Sequence, residues 1–300
     1  MGVDLLQSSA RARDLFSLVD DVTGLPITEL CEQGPLERLT DTEIAQPAVV
    51  ATSLAALAVL RESLEVFEPA AVAGHSVGEF AAYVAGGALD EEAALRLVHA
   101  RAQAMAAACK TVDGTMAAVI GLDDDALRGV CAEASQDGST VELANLNAPG
   151  QLIISGDRAA IDRAAERARA AGARRVLPLT VGGPFHSVYM RPAVAALDAA
   201  LSTATFRAAR VPVIANVTAQ PITQPEDLRH ELSVQVYSPV RWIETLRRMQ
   251  ELGCDRFIEV GPGTVLSGLV KRTLPEAHVV NFGALADLEG VRSLVAEAAG

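Results

Sequence analysis

The stretch Val72-Ala73-Gly74-His75-Ser76-Val77-Gly78-Glu79 decides how this chain is read. It sets a serine between two glycines, after a short apolar segment and before an alanine-rich helical one. That is the nucleophile-elbow pattern: a strand ends, the backbone turns sharply and a helix begins. Glycines on either side let the turn close and leave room around the hydroxyl. The serine then lies at a helix N-terminus, where free N–H groups favour developing negative charge. Such a hydroxyl suits acyl transfer through a covalent serine ester. The bare pattern also occurs by chance, so it needs a base and a pocket before it carries chemistry.

Around the elbow, apolar periodicity predicts helices over 3–20 and 46–64 and a short buried strand over 70–73. Asp90 reads as the N-cap of a helix running to about Lys110, with Glu91 and Glu92 in its first turn. The rhythm then changes. Strands at 116–120, 141–145, 151–155 and 174–180 alternate with helices at 123–134 and 157–171. That β-α-β-β-α-β order is the ferredoxin-like unit. Beyond it come helices near 190–204, 225–237 and 240–252, with strands at 211–216 and 256–260. Residues 291–300 read as a final, fraying helix. Short apolar strands alternating with longer helices indicate a mainly parallel, helix-covered sheet. The fold class expected is therefore α/β and hydrolase-like. A large domain formed by 1–112 and 181–300 carries a small ferredoxin-like subdomain, 113–180.

The 300 residues suffice for a sizeable core, and half are apolar, which excludes a disordered chain. No uninterrupted apolar run reaches the about 18 residues of a membrane span. The first residues lack the basic start and apolar stretch of a signal peptide, so the expected location is the cytoplasm. The four cysteines, Cys31, Cys109, Cys131 and Cys254, are scattered and read as thiols rather than zinc ligands or a disulfide framework. Neither a metal nor an organic cofactor is expected. A net charge of −13 argues against nucleic acid as a partner.

A serine hydroxyl needs a base. Of five histidines, His75 adjoins the serine and is expected to point elsewhere. His99 and His230 read as solvated helix residues, and His278 precedes a strand without a partner. His186, in Val181-Gly182-Gly183-Pro184-Phe185-His186-Ser187, sits where the small unit returns to the large domain. A loop there can aim a histidine into an interdomain cleft; an ordinary hinge histidine is the alternative. Arg101 shares a helix face with Leu97 and Met105. A charge facing a core must be paired. Either a fixed carboxylate meets it, or the site awaits an anionic ligand to which guanidinium donates two parallel hydrogen bonds.

These residues, in this order, resemble the malonyl-CoA:acyl carrier protein transacylase family, which includes the acyltransferase domains of fatty-acid and polyketide synthases. The likeness is carried by Asp41-Thr42-Glu43-Ile44-Ala45-Gln46-Pro47-Ala48, Gly74 to Glu79, Arg101, Gly183-Pro184-Phe185-His186-Ser187 and Gln235-Val236-Tyr237-Ser238-Pro239-Val240-Arg241-Trp242. Residues 145–150 and 151–156 resemble the family's small-domain hairpin. The resemblance implies a ping-pong transfer of malonyl from malonyl-CoA, through an ester on Ser76, to the pantetheine thiol of acyl carrier protein. It implies His186 as base, the main-chain carbonyl of Gln235 as its orienting group and the Val77 N–H as an oxyanion donor. Arg101, with His75, Phe185 and Asn147, is implied to meet the substrate. Phe185 and Val77 look like the malonyl-selecting versions of their positions. Family members begin with a strand and a Phe-Pro-Gly-Gln-Gly loop that supplies a second oxyanion donor. Met1-Gly2-Val3-Asp4-Leu5 resembles the part just after that loop, so the start of the sequence is expected to have been set late.

Two other functions remain open on the sequence. A serine (thio)ester hydrolase shares the elbow and base, though it has little use for a buried cation. A catalytically impaired carrier-binding protein would bind carrier without being acylated. Because acyl carrier proteins are usually acidic, binding by this acidic chain requires a local basic patch. Arg241, Arg247, Arg248, Lys271 and Arg272 are the candidates.

Overall fold

The computed structural model describes residues 1–65, 67–136 and 138–298; part of the expected terminal helix, residues 299–300, lies outside them. The N-terminal layer is helical: α1 (Val3–Ser8), α2 (Ala10–Thr23), α3 (Ile27–Gln33), α4 (Thr42–Ser63), α5 (Glu79–Ala85) and α6 (Glu91–Cys109). The single helix expected over 3–20 is broken at Ser9. Its backbone turns extended, and its side chain caps α2 by accepting from Ala12 N. A serine that satisfies a helix's first N–H groups ends one helix and begins the next. Asp90 caps α6 as the sequence indicates.

α4 starts four residues before the expected 46, and fourteen of its residues are buried. It is long and apolar enough to cross a membrane, but 78% of that window is buried inside the protein. α2, α5 and α6 pack around it. Their core includes Phe16, Leu54, Phe80, Tyr83, Leu95 and Met105.

β1 (Gly114–Ile120), α7 (Asp124–Ala134), β2 (Val141–Ala148), β3 (Gln151–Asp157), α8 (Arg158–Ala170) and β4 (Arg175–Pro178) follow. The strands form one antiparallel sheet in the order β2-β3-β1-β4. Its register pairs Ala118 with Ile153 and Leu177. Alternation along the strands sends Val119, Leu143 and Ile154 into a core with Leu127 and Ile161 of the two helices. The opposite face carries Met116, Ala118, Ala144 and Ile153, against which Phe185 packs. The residue before His186 thus joins the small sheet to the large layer.

The chain returns through α9 (Val194–Thr203), β5 (Val213–Ile214), β6 (Pro221–Ile222), α10 (Pro225–Gln235), α11 (Trp242–Glu251), β7 (Arg256–Val260), α12 (Val265–Thr273), β8 (His278–Phe282) and α13 (Leu288–Ala298). Among the described residues, parallel pairing is short: β7 with β8, Val72 with Val213, and Asn145 with Val240. The strand expected over 70–73 is reduced to Val72, whose N–H donates to Pro212 O at 3.0 Å before Gly74 turns the chain away. α3, β6 and α12 are short segments outside those expected from the sequence.

Candidate active site

The elbow is built as the glycines suggest, but only one glycine is obligatory. A Cβ on Gly74 would lie 2.0 Å from the Gly78 carbonyl carbon, whereas one on Gly78 would meet nothing within 4 Å. Ser76 adopts φ 51°, a left-handed conformation costly for a residue with a side chain. Asn216 holds it there. Its Oδ1 accepts from Ser76 N at 2.7 Å and its Nδ2 donates to Gly74 O at 2.7 Å. The Asn216 N–H in turn donates to Glu79 Oε1 at 2.7 Å. Val77 follows the serine on the same 3-10 turn, which leads directly into α5.

His186 also has a positive φ, 56°, which aims its ring at the elbow. Nε2 lies 2.7 Å from Ser76 Oγ. Nδ1 lies 3.0 Å from Gln235 O and 3.1 Å from Ser238 O. Carbonyl oxygens only accept, so Nδ1 carries the proton and Nε2 presents its lone pair to the serine. Burial, then the Arg101 charge and more weakly His75, push His186 down to about 3, so the imidazole is neutral. It lines a cavity of about 290 Å³ with Arg128, Glu142 and Tyr237. A larger cavity of about 630 Å³, beside Glu43 and Thr180, contains neither Ser76 nor His186.

Arg101 is buried and lies in the same cluster. Nη2 donates to Ser76 Oγ and to Gln235 Oε1, each at 3.0 Å, and Nη1 donates to Gln46 Oε1 at 2.5 Å. Burial lowers it to about 10, against the opposing pull of Glu79, so it stays cationic at neutral pH. Among the described residues no carboxylate pairs with it directly. Gln235 intervenes, donating through Nε2 to Glu79 Oε2 at 2.5 Å and to Ser76 O at 3.0 Å. Glu79 and Glu231 are both buried, and desolvation raises both; Glu231 reaches about 7. Glu231 accepts from Val217 N at 2.8 Å.

His75 turns away from the hydroxyl. Its Nε2 meets Asn147 Oδ1 at 2.8 Å, and its ring meets Trp242 edge-on at 5.3 Å. The first contact ties the elbow to β2 of the small sheet, and the second ties it to the start of α11. His230 and His278 are exposed, but His99 is half-buried, with Nδ1 enclosed and unpartnered. Of the basic candidates, Arg241 pairs with Glu244, and Arg248 pairs with Glu251 at 2.6 Å. Arg272 donates to Gln151 at 2.7 Å, while Arg247 and Lys271 are exposed. Among the described residues, no three His, Cys, Asp or Glu side chains form a metal site.

Sequence reasoning missed Gln46, Glu79 and Asn216 as members of the cluster. Gln46 is a buried amide on a mostly apolar helix, a buried-polar signal. Glu79 opens an apolar helix, which reads as routine N-terminal charge, and nothing local marks Asn216.

The chain matches the family model for the acyl transferase domain over residues 1–289. It is 42% identical over 272 residues to the malonyl CoA-acyl carrier protein transacylase of Bacillus subtilis, spanning 91% of this chain and 85% of that one. For the enzyme of the same name from Haemophilus influenzae, the figures are 37% over 282 residues, 94% and 90%. The crystal structure of an acyl carrier protein S-malonyltransferase from Vibrio cholerae superposes with TM-score 0.92 at 39% identity, covering 97% of this chain and 94% of that one. A malonyl-transacylase in complex with a type II PKS acyl-carrier protein superposes with TM-score 0.93 at 37% identity, covering 99% and 94%.

Proposed function

This chain belongs to the acyl transferase domain family, and from that premise we propose how its residues carry a malonyl group from malonyl-CoA to acyl carrier protein. The overall reaction and its two partners are those of its relatives. The assignment of steps to residues rests on one observation: Ser76 Oγ lies within hydrogen-bond reach of both His186 Nε2 and Arg101 Nη2.

His186 Nε2 takes the Ser76 proton as Oγ attacks the thioester carbonyl. The Oγ–C bond forms and the oxygen becomes an oxyanion, which the Val77 N–H stabilises. The C–S bond then breaks, and the proton on His186 passes to the departing CoA sulfur. In the second half the carrier's pantetheine thiol enters. His186 takes its proton, sulfur attacks the ester and Ser76 recovers its hydroxyl. The carbonyls of Gln235 and Ser238 keep Nδ1–H fixed throughout. Arg101 meets the malonate carboxylate. Phe185 bounds the acyl pocket, and His75 with Asn147 shapes its far wall.

The proposed framework is a large, hydrolase-like domain, 1–112 and 181–300, in which the β7–β8 and Val72–Val213 parallel pairings belong to one helix-covered layer. The inserted unit, 113–180, is read as ferredoxin-like because its strand order, β2-β3-β1-β4, is the one that β-α-β-β-α-β connectivity produces. The cytoplasm is the proposed location. Intact mass after mixing with malonyl-CoA tests the mechanism. A malonyl adduct on wild type and none on Ser76→Ala is the expected result. An adduct on both, or free malonate released without one, would favour another nucleophile or a hydrolase.

A further inference from the structure

Arg101 brings a full positive charge into the protein interior, and the side chains that hold it are amides. Gln46 and Gln235 each turn a carbonyl oxygen towards the guanidinium. Those orientations are set from the other end. Gln46 Nε2 donates to Thr42 Oγ1 at 2.8 Å, and Gln235 Nε2 donates to Glu79 Oε2 and Ser76 O. A guanidinium only donates, so each amide has one consistent orientation.

An arginine fixed against a carboxylate would be a finished ion pair in the resting protein, with no call for an anionic ligand. The amides accept from Nη1 and Nη2 without cancelling the charge. Glu79 is kept one amide away, so its pull reaches Arg101 through Gln235 rather than by contact. One nitrogen is left without a partner: Arg101 Nε is buried and finds no acceptor. Nε shares a guanidinium edge with Nη2, the nitrogen that donates to Ser76 Oγ. A carboxylate seated on that edge fills the empty donor and takes Nη2 from the nucleophile.

We propose that Gln46 and Gln235 set acyl specificity by their neutrality, as a cradle that keeps Arg101 charged but unneutralised until the acyl donor brings its own carboxylate. This rests on reading Ser76 as the malonyl acceptor. A malonyl donor neutralises the cation and frees Oγ to be deprotonated by His186. An acetyl donor does neither, so discrimination falls on the acylation step as well as on binding.

The test compares kcat/KM for Ser76 acylation by malonyl-CoA and acetyl-CoA in full-length wild type, Gln46→Glu and Gln46→Met, with a melting temperature for each. Gln46→Glu keeps the shape and brings a carboxylate to Nη1. Its malonyl-over-acetyl ratio is expected to fall by about tenfold or more, the scale of one charge-assisted contact. Gln46→Met removes the acceptor without adding charge, and its ratio is expected to stay within about threefold of wild type. A ratio that survives Gln46→Glu, or that collapses equally in both variants, overturns the cradle. Should Gln46→Glu fail to fold, Gln235→Glu, which brings a carboxylate to Nη2 and keeps the main-chain carbonyl, takes its place: a fallen ratio supports the cradle and an unmoved one overturns it. A wild type that forms no malonyl ester overturns the functional reading as well; one that forms it beside an unmoved ratio overturns the cradle only.

Discussion

Ser76 Oγ and His186 Nε2 lie 2.7 Å apart although 110 residues separate them in the chain. Both residues hold left-handed backbone conformations, the kind of local strain that survives only where surrounding structure enforces it. Here Asn216 pins the serine, and two main-chain carbonyls pin the histidine.

The first prediction concerns the base. Burial, then Arg101, hold His186 at about 3 rather than 6.5. The plot of kcat/KM against pH reports the free enzyme, so it is expected to run flat from about pH 8 down to about pH 5. A bend near 6.5 assigned to His186 would show a solvated imidazole. Stability follows the same sign. The neutral imidazole's contribution is whole above 6.5 and is lost as pH falls from 6.5 towards about 3, because the unfolded chain takes the proton first.

Glu231 has the opposite sign. Its folded value, about 7, lies above the ordinary 4.5. Its contribution is therefore whole below 4.5 and is lost as pH rises through about 7, where the buried carboxyl is forced to ionise beside Glu79. Glu231→Gln keeps an oxygen for Val217 N and removes the ionisation. Melting curves should show the variant gaining on wild type as pH rises across that interval. A constant difference between the two would show that Glu231 is already ionised at low pH.

The two elbow glycines should behave differently. Gly74→Ala drives a Cβ into the Gly78 backbone at 2.0 Å and is expected to cost more than about 3 kcal/mol or prevent folding. Gly78→Ala meets open space at φ −64° and should stay within about 1 kcal/mol of wild type. Urea unfolding of both variants checks this, and equal losses would contradict the steric account.

Carrier docking is the last prediction. Arg241 and Arg248 already have acidic partners and Arg272 donates to Gln151, which leaves Arg247 and Lys271, among the described residues, as the exposed candidates without a side-chain partner. Arg247→Glu with Lys271→Glu should raise KM for acyl carrier protein at low salt while sparing KM for malonyl-CoA. Equal rises for both substrates would remove the patch from consideration.

Much of this was legible from the residues. The elbow, the Asp90 cap, the β-α-β-β-α-β order and the strand at 256–260 all follow from local patterning, because caps, turns and alternation act over a few residues. Arg101 was legible as a problem, a charge on an apolar face, but the residues left two solutions open. The structure leaves it without a direct carboxylate partner among the described residues and surrounds it with amides.

What the chain alone determined was the chemistry available: a serine on a tight turn, a histidine at a junction and a cation on a core-facing helix. Only the tertiary structure decided which groups share a hydrogen-bond network. Gln46, Glu79, Asn216 and Gln235 come from four separate segments, and their side chains meet around Ser76 and Arg101. No local periodicity encodes that meeting. It arises because buried polar groups must find partners once the layers close, and those partners are wherever packing has put them.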